Sequence, residues 1–357
     1  MCANANATSN PWFALGGFIG RHMVVVAPLC VFIGVMFPQA EALTPAVELM
    51  FAFMTFQNAM ATTARELWGV VRRPLPLLVA LAVLLVVMPL VSFGAGRALF
   101  GTQPDVIAGM VIEYCVPMGV TGLMWTQIYN GNRSFALAVV VVSTVLVPLT
   151  LPLSLELLLG ATVELDVAGM MLDLLTMVAL PAVAGIACND LSRGKANARV
   201  NPWLAPAAKL MLVVILVVNS THISSAMRHL TWSLVAIAAV MACLGALGYA
   251  LGYVAGRLLG LGVGDCLTMG ITTGARNITS GAVLAAAYFP DATMFPVIMG
   301  TLFQHVIAGL FGWAVRRLDH RCTPAPAPTP TPAAPAQVES GRETDAPDVS
   351  QTPLRKP

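Results

Sequence analysis

Ten apolar runs, each long enough to cross about 30 Å of hydrocarbon, fall at roughly 23–38, 45–63, 74–98, 105–129, 134–159, 167–188, 207–226, 232–258, 265–289 and 293–315. No water reaches backbone groups at that depth, so each run must hydrogen-bond within itself as a helix. The expected fold is all-α and polytopic, with ten transmembrane helices. Composition agrees: only 10% of residues are charged, against about 25% in soluble domains, too few to cover a soluble fold. Residues 11–20, "PWFALGGFIG", read as an interfacial helix anchored by Trp12 and Phe13 within an N-terminal segment of residues 1–22. The first run, followed by "FPQAEA", imitates a signal peptide, but its polar lead is long and cleavage would leave nine runs.

Loop charge sets the expected orientation. The N-terminal segment, every second loop and the C-terminal segment hold Arg21, Arg65, Arg72, Arg73, Arg133, Arg193, Lys195, Arg199, Lys209, Arg257, Arg316, Arg317 and Arg321, whereas the opposite loops hold only Arg97 and Arg228. The positive-inside bias places both termini in the cytoplasm of a cell membrane.

"AGRALFGTQPD" (95–105) and "AGRLLGLGVGD" (255–265) share Ala, Gly, Arg, Leu and Asp at one offset of 160 residues. Each copy joins corresponding runs, the third to the fourth and the eighth to the ninth. Five spans per unit is odd, so the second unit must be inverted, as in secondary transporters. The expected repeats are residues 23–160 and 161–320. Residues 321–357, rich in Pro, Ala and Thr and then polar, read as a disordered cytoplasmic tail.

The matched fourth and ninth runs are interrupted. Pro117 and Gly119 break "CVPMGV", and Gly274 breaks "TTGARNITSG". Pro removes a donor and Gly lets the chain turn. Irregular backbone at such depth lines a cavity or is buried in protein, and paired breaks point to a central binding site.

Other classes find little support. There is no basic run for nucleic acid, no Cys/His cluster for a metal, no motif for a cofactor, and neither HExxH nor GxSxG for an enzyme. A channel-like or sensory protein would share the hydropathy, but short loops and paired breaks favour a carrier.

At this point the residues carry a resemblance. "FIGR", "CVPMGVTGLMWTQIYNGNRSFALAVVVVSTVLVPLTLPL", "VAGMMLDLLTMVALP" and "NITSGAVLAAAYF" run in the order of the bile acid:sodium symporter family, over nearly everything from Phe18 to Leu318. The resemblance implies crossed, broken fourth and ninth helices, alternating access, and a small organic anion as substrate. It does not carry the sodium ligands across. Gly122 and Leu123 stand where the family has Ser or Thr followed by Asn, Ala136 and Val140 where it has hydroxyls, and Thr272 and Arg276 where it has an acid and Gln. Transport coupled to protons, or to no ion, is therefore expected ahead of sodium coupling. A sodium-coupled symporter with rearranged sites is the alternative.

Arg276 is the anomaly. A charge near the bilayer centre costs about 2.5–3.5 kcal/mol on insertion scales, and Arg does not shed its proton. At about 1.5 Å per residue, Glu113 lies about 12 Å in from Asp105 and Arg276 about 16 Å in from Asp265, which brings them to one level from opposite faces. The two are expected to interact directly or through water. Three readings follow: a fixed cation in place of sodium that also attracts an anionic substrate, a proton-loading Glu113 tuned by Arg276, or a static pair. Asn277, Thr273, Thr279, Thr121 and His305 are expected to join Arg276 around the substrate. Asp173 is a rival partner for the guanidinium.

Overall fold

The structure, a computed structural model, describes residues 11–65, 74–160, 166–228 and 231–318. The expected tail, residues 321–357, lies outside them. The described chain is helical, and its one β feature is a single bridge between Met118 and Arg276.

The principal helices are α1 (Pro11–Arg21), α2 (Met23–Met36), α3 (Thr44–Ala59), α4 (Pro74–Phe100), α5 (Pro104–Cys115), α6 (Val120–Ile128) and α7 (Arg133–Leu159). They continue as α8 (Val167–Leu191), α9 (Asn201–Thr221), α10 (Trp232–Leu258), α11 (Val263–Gly274), α12 (Ile278–Tyr288) and α13 (Met294–Leu318). Six of the described helices are long and apolar enough to cross a membrane without interruption: α4, α7, α8, α9, α10 and the 28-residue helix that ends in α13. The shortfall from ten has two causes. Helices α2 and α3 are 14 and 16 residues long, and the fourth and ninth runs are each divided, into α5–α6 and α11–α12.

The breaks lie where the chain withholds donors or side chains. Helix α5 ends at Cys115, because Pro117 has no N–H and biases Val116 towards extended backbone; Val116 takes ψ 154°. Helix α11 ends at Gly274, and Ala275 is likewise extended, at ψ 111°.

Packing sorts the helices into two groups. Helices α2, α3, α8 and α9 lie against one another: α2 on α9, and α3 on both α8 and α9. Close approach uses glycine, since a β-carbon at Gly34 would overlap the Val217 carbonyl and one at Gly185 the Phe56 carbonyl. The broken helices are gripped by α4, α7, α10 and α13. Every residue from Val106 to Cys115 and from Cys266 to Gly274 is buried, so both interrupted runs occupy the centre of the fold rather than face lipid. Helix α1 turns 90° from α2. Its Trp12 indole donates to the Trp203 carbonyl and its Phe13 packs edge-on against Trp203, so both expected anchors hold α1 on α9.

Candidate functional site

The two interrupted segments meet and exchange main-chain hydrogen bonds. Gly119 N–H donates to the Ala275 carbonyl at 3.1 Å, and Asn277 N–H donates to the Pro117 carbonyl at 2.8 Å. The pair is reciprocal: Pro117 corresponds to Ala275 and Gly119 to Asn277. Pro117, Gly119 and Gly274 therefore bound two extended strands, each of which supplies the other's missing partners. Gln304 of α13 staples the joint, its Oε1 accepting from Arg276 N–H at 2.8 Å and its Nε2 donating to Thr121 Oγ1 at 3.3 Å.

Arg276 is 2% exposed, and the prolines explain what it does. In α4 the turn Val83–Val87 is a π-turn, with Met88 N–H bonded to Val83 O instead of Leu84 O. The next candidate donor for Leu84 O is residue 89, a proline. The Leu84 carbonyl is thus orphaned within its helix, and Arg276 Nη1 donates to it at 2.7 Å. The same nitrogen donates to the Tyr114 carbonyl at 3.0 Å, with a longer contact of 3.5 Å to Val116 O. Tyr114 is in the last turn of α5, whose final carbonyls have no helical donors. A cation there also meets the negative end of the α5 dipole. The guanidinium carbon stands 5.3 Å from the Tyr114 ring centroid, an additional cation–π contact.

The expected interaction is not a direct ion pair, although Glu113 and Arg276 line one small cavity. No oxygen of Glu113 comes within 4.0 Å of the guanidinium; among the described residues the one ion pair at that range joins His222 and Asp291. Glu113 instead presses its carboxyl against Gly300, and its Oε2 has no hydrogen-bond partner. Asp173 is not a rival either, since it accepts from the Tyr288 hydroxyl.

A cavity of about 260 Å³ adjoins the crossing. Thr121, Arg276, Asn277, Thr279 and His305 border it, together with Gln304, Thr301, Gln57, Asn58 and Lys209. Thr273 does not: its hydroxyl donates to the Gly248 and Met269 carbonyls, both at 2.9 Å, on the far side of α11. The Trp125 indole donates to His305 Nδ1 at 3.4 Å. Indole N–H only donates, so Nδ1 accepts and Nε2 carries the ring proton. No Asp or Glu lines the cavity among the described residues. The N-termini of α6 and α12, through Gly119–Thr121 and Asn277–Thr279, open onto it. First-turn N–H groups lack helical acceptors, so both ends attract anions. Lys209 and Thr301 are polar cavity residues that sequence reasoning passed over; the signal for the first was a lone Lys inside an apolar run.

Ala136 and Val140 pack with Met118 and Met269 in an apolar cluster. Gly122 abuts Met118 and Ala275, and the Thr272 hydroxyl is bound to the Met269 carbonyl. The available carbonyls of Leu84 and Tyr114 already hold a guanidinium. These residues do not fit a sodium ion.

Comparison with known proteins identifies the family. The model of the Sodium Bile acid symporter family matches residues 48–228. The uncharacterized protein YbaS of Bacillus subtilis is 35% identical over 298 residues, covering 83% of this chain and 97% of YbaS. The uncharacterized sodium-dependent transporter YocS of the same bacterium is 24% identical over 293 residues, 82% of this chain and 88% of YocS. The probable sodium/metabolite cotransporter BASS1 of Arabidopsis thaliana chloroplasts is 25% identical over 307 residues, 84% and 75% of the two chains. A match of this extent, on a fold whose broken helices meet beside a cavity, makes the chain a multi-pass membrane transporter rather than an enzyme, and a member of the Sodium Bile acid symporter family.

Proposed function

We propose that the chain is a secondary transporter of a small organic anion, working by alternating access without the usual two sodium sites. The observation that carries this reading is the cavity itself: two half-helix N-termini open onto it, a permanent cation stands at the crossing, and among the described residues no carboxylate lines it. The printed name of BASS1 includes a metabolite, which supports a small-molecule cargo. Ten spans, arranged as inverted repeats over residues 23–160 and 161–320 with both termini cytoplasmic, form the proposed scaffold. The motif shared by 95–105 and 255–265 at one offset of 160 residues supports that symmetry.

Arg276 acts here as a built-in cation. It neutralises orphaned carbonyls at the crossing, work that a bound metal ion would otherwise do, and it leaves substrate contact to Asn277, Thr279, Thr121 and His305. Coupling then falls to a proton or to exchange, and the unpartnered oxygen of Glu113 is the buried carboxyl available for a proton. The printed name of YocS favours a second reading, sodium coupling through rearranged sites. Uptake of labelled organic acids into proteoliposomes, with sodium or potassium outside and with or without a pH gradient, separates the two. The expected rates in sodium and potassium agree within about a factor of two, less than 0.5 kcal/mol of barrier. Strict dependence on sodium would overturn the assignment of Arg276 as its replacement.

A further inference from the structure

Lys209 enters the cavity wall from α9, about 12 Å along the helix from Asn201 at 1.5 Å per residue. Its ammonium carries three donors. One reaches the carbonyl of Gly16 in α1 at 2.8 Å, and among the described residues no carboxylate lies within 4.0 Å of it. Room for the head group is kept by Gly20, where a β-carbon would stand 2.9 Å from Nζ. A half-buried ammonium with two donors left over, in a cavity without an acid, is a second place for negative charge. It comes from a different wall than the helix N-termini at the crossing, and the apolar side chains of Met54, Met124, Leu212 and Leu216 also line the space.

We propose that Lys209 is a specificity-determining residue that binds a second anionic group of the substrate, so that the cavity favours short dicarboxylates over monocarboxylates of equal length. The inference rests on the organic-anion reading and narrows it. One acid group docks at the N-termini of α6 and α12, where Asn277 and Thr279 stand. The other takes the free donors of Lys209, and the chain between them lies against the methionine and leucine side chains. A charged hydrogen bond of this kind contributes roughly a tenfold or greater gain in affinity.

The test is binding to the purified full-length protein in detergent, by calorimetry with succinate, glutarate, butyrate and succinamide. Expected is at least tenfold tighter binding of a dicarboxylate than of butyrate. Lys209→Gln should remove that preference by weakening dicarboxylate binding about tenfold. Lys209→Arg should keep the preference. Equal binding of both acid classes by the wild type, or a preference that survives Lys209→Gln, overturns the inference and leaves the organic-anion reading intact. A wild type that binds succinamide but no acid, or binds none of the four, overturns both.

Discussion

Arg276→Gln is expected to lower stability by about 2–6 kcal/mol, the cost of leaving two buried carbonyls without their charged donor at about 1–3 kcal/mol each. It should also lose most transport. Its guanidinium serves the Leu84 and Tyr114 carbonyls at once. Both lost their helical donors through proline or chain break, and each buried carbonyl left bare costs about 1–3 kcal/mol. Glutamine is uncharged and its amide ends two atoms short of Nη1, so the Leu84 and Tyr114 carbonyls lose their donor and the end of α5 loses its counter-charge. Thermal unfolding in detergent reads the first effect and counterflow the second. Arg276→Lys should fall between, since an ammonium keeps the charge but ends one bond short of Nη1. A folded Arg276→Gln protein that transports at the normal rate would sink the idea of a built-in cation.

Gly119→Ala carries the next largest effect. A β-carbon there would stand 2.9 Å from the carbonyl carbon of Arg276 and 3.2 Å from Asn277 N, and both are backbone atoms that no rotamer change can move. The crossing must open. Overpacking costs about 1–3 kcal/mol, and weakening the two exchanged hydrogen bonds adds about 1 kcal/mol each. Transport should disappear because the N-termini of α6 and α12 no longer face one cavity. Gly94→Ala is the control: a β-carbon at Gly94 in α4 meets nothing within 4 Å, so it should be neutral or slightly stabilising, as Ala favours the helix over Gly. Equal melting temperatures for the two variants would contradict the close approach at the crossing.

The breaks were legible because Pro117, Gly119 and Gly274 act on their own backbone, whatever surrounds them. From those breaks the positions of Thr121, Asn277 and Thr279 beside the cavity follow, since residues that open a half-helix face the gap. The partner of Arg276 was not legible. Counting residues gives depth along an axis but not direction around it, so Glu113 and Arg276 can line one small cavity without a direct ion pair. What decided the matter was a demand from α4, where a π-turn and Pro89 strand the Leu84 carbonyl; the proline was visible, the π-turn was not. Thr273 failed for a similar reason. The glycines at 248 and 252 open a slot in α10 that takes its hydroxyl, and only the packing of α10 on α11 reveals which face of α11 meets them. Lys209 was counted as a loop charge for orientation, a sum in which the depth of a residue inside its helix does not appear.

The joint between the two interrupted segments is made from peptide atoms, Gly119 to Ala275 and Asn277 to Pro117, not from side chains. A lineage can therefore exchange the chemistry at neighbouring positions, oxygen donors for a guanidinium or the reverse, and the hinge pin of the machine stays in place. Diversity of coupling within one architecture is the natural outcome of such a division of labour.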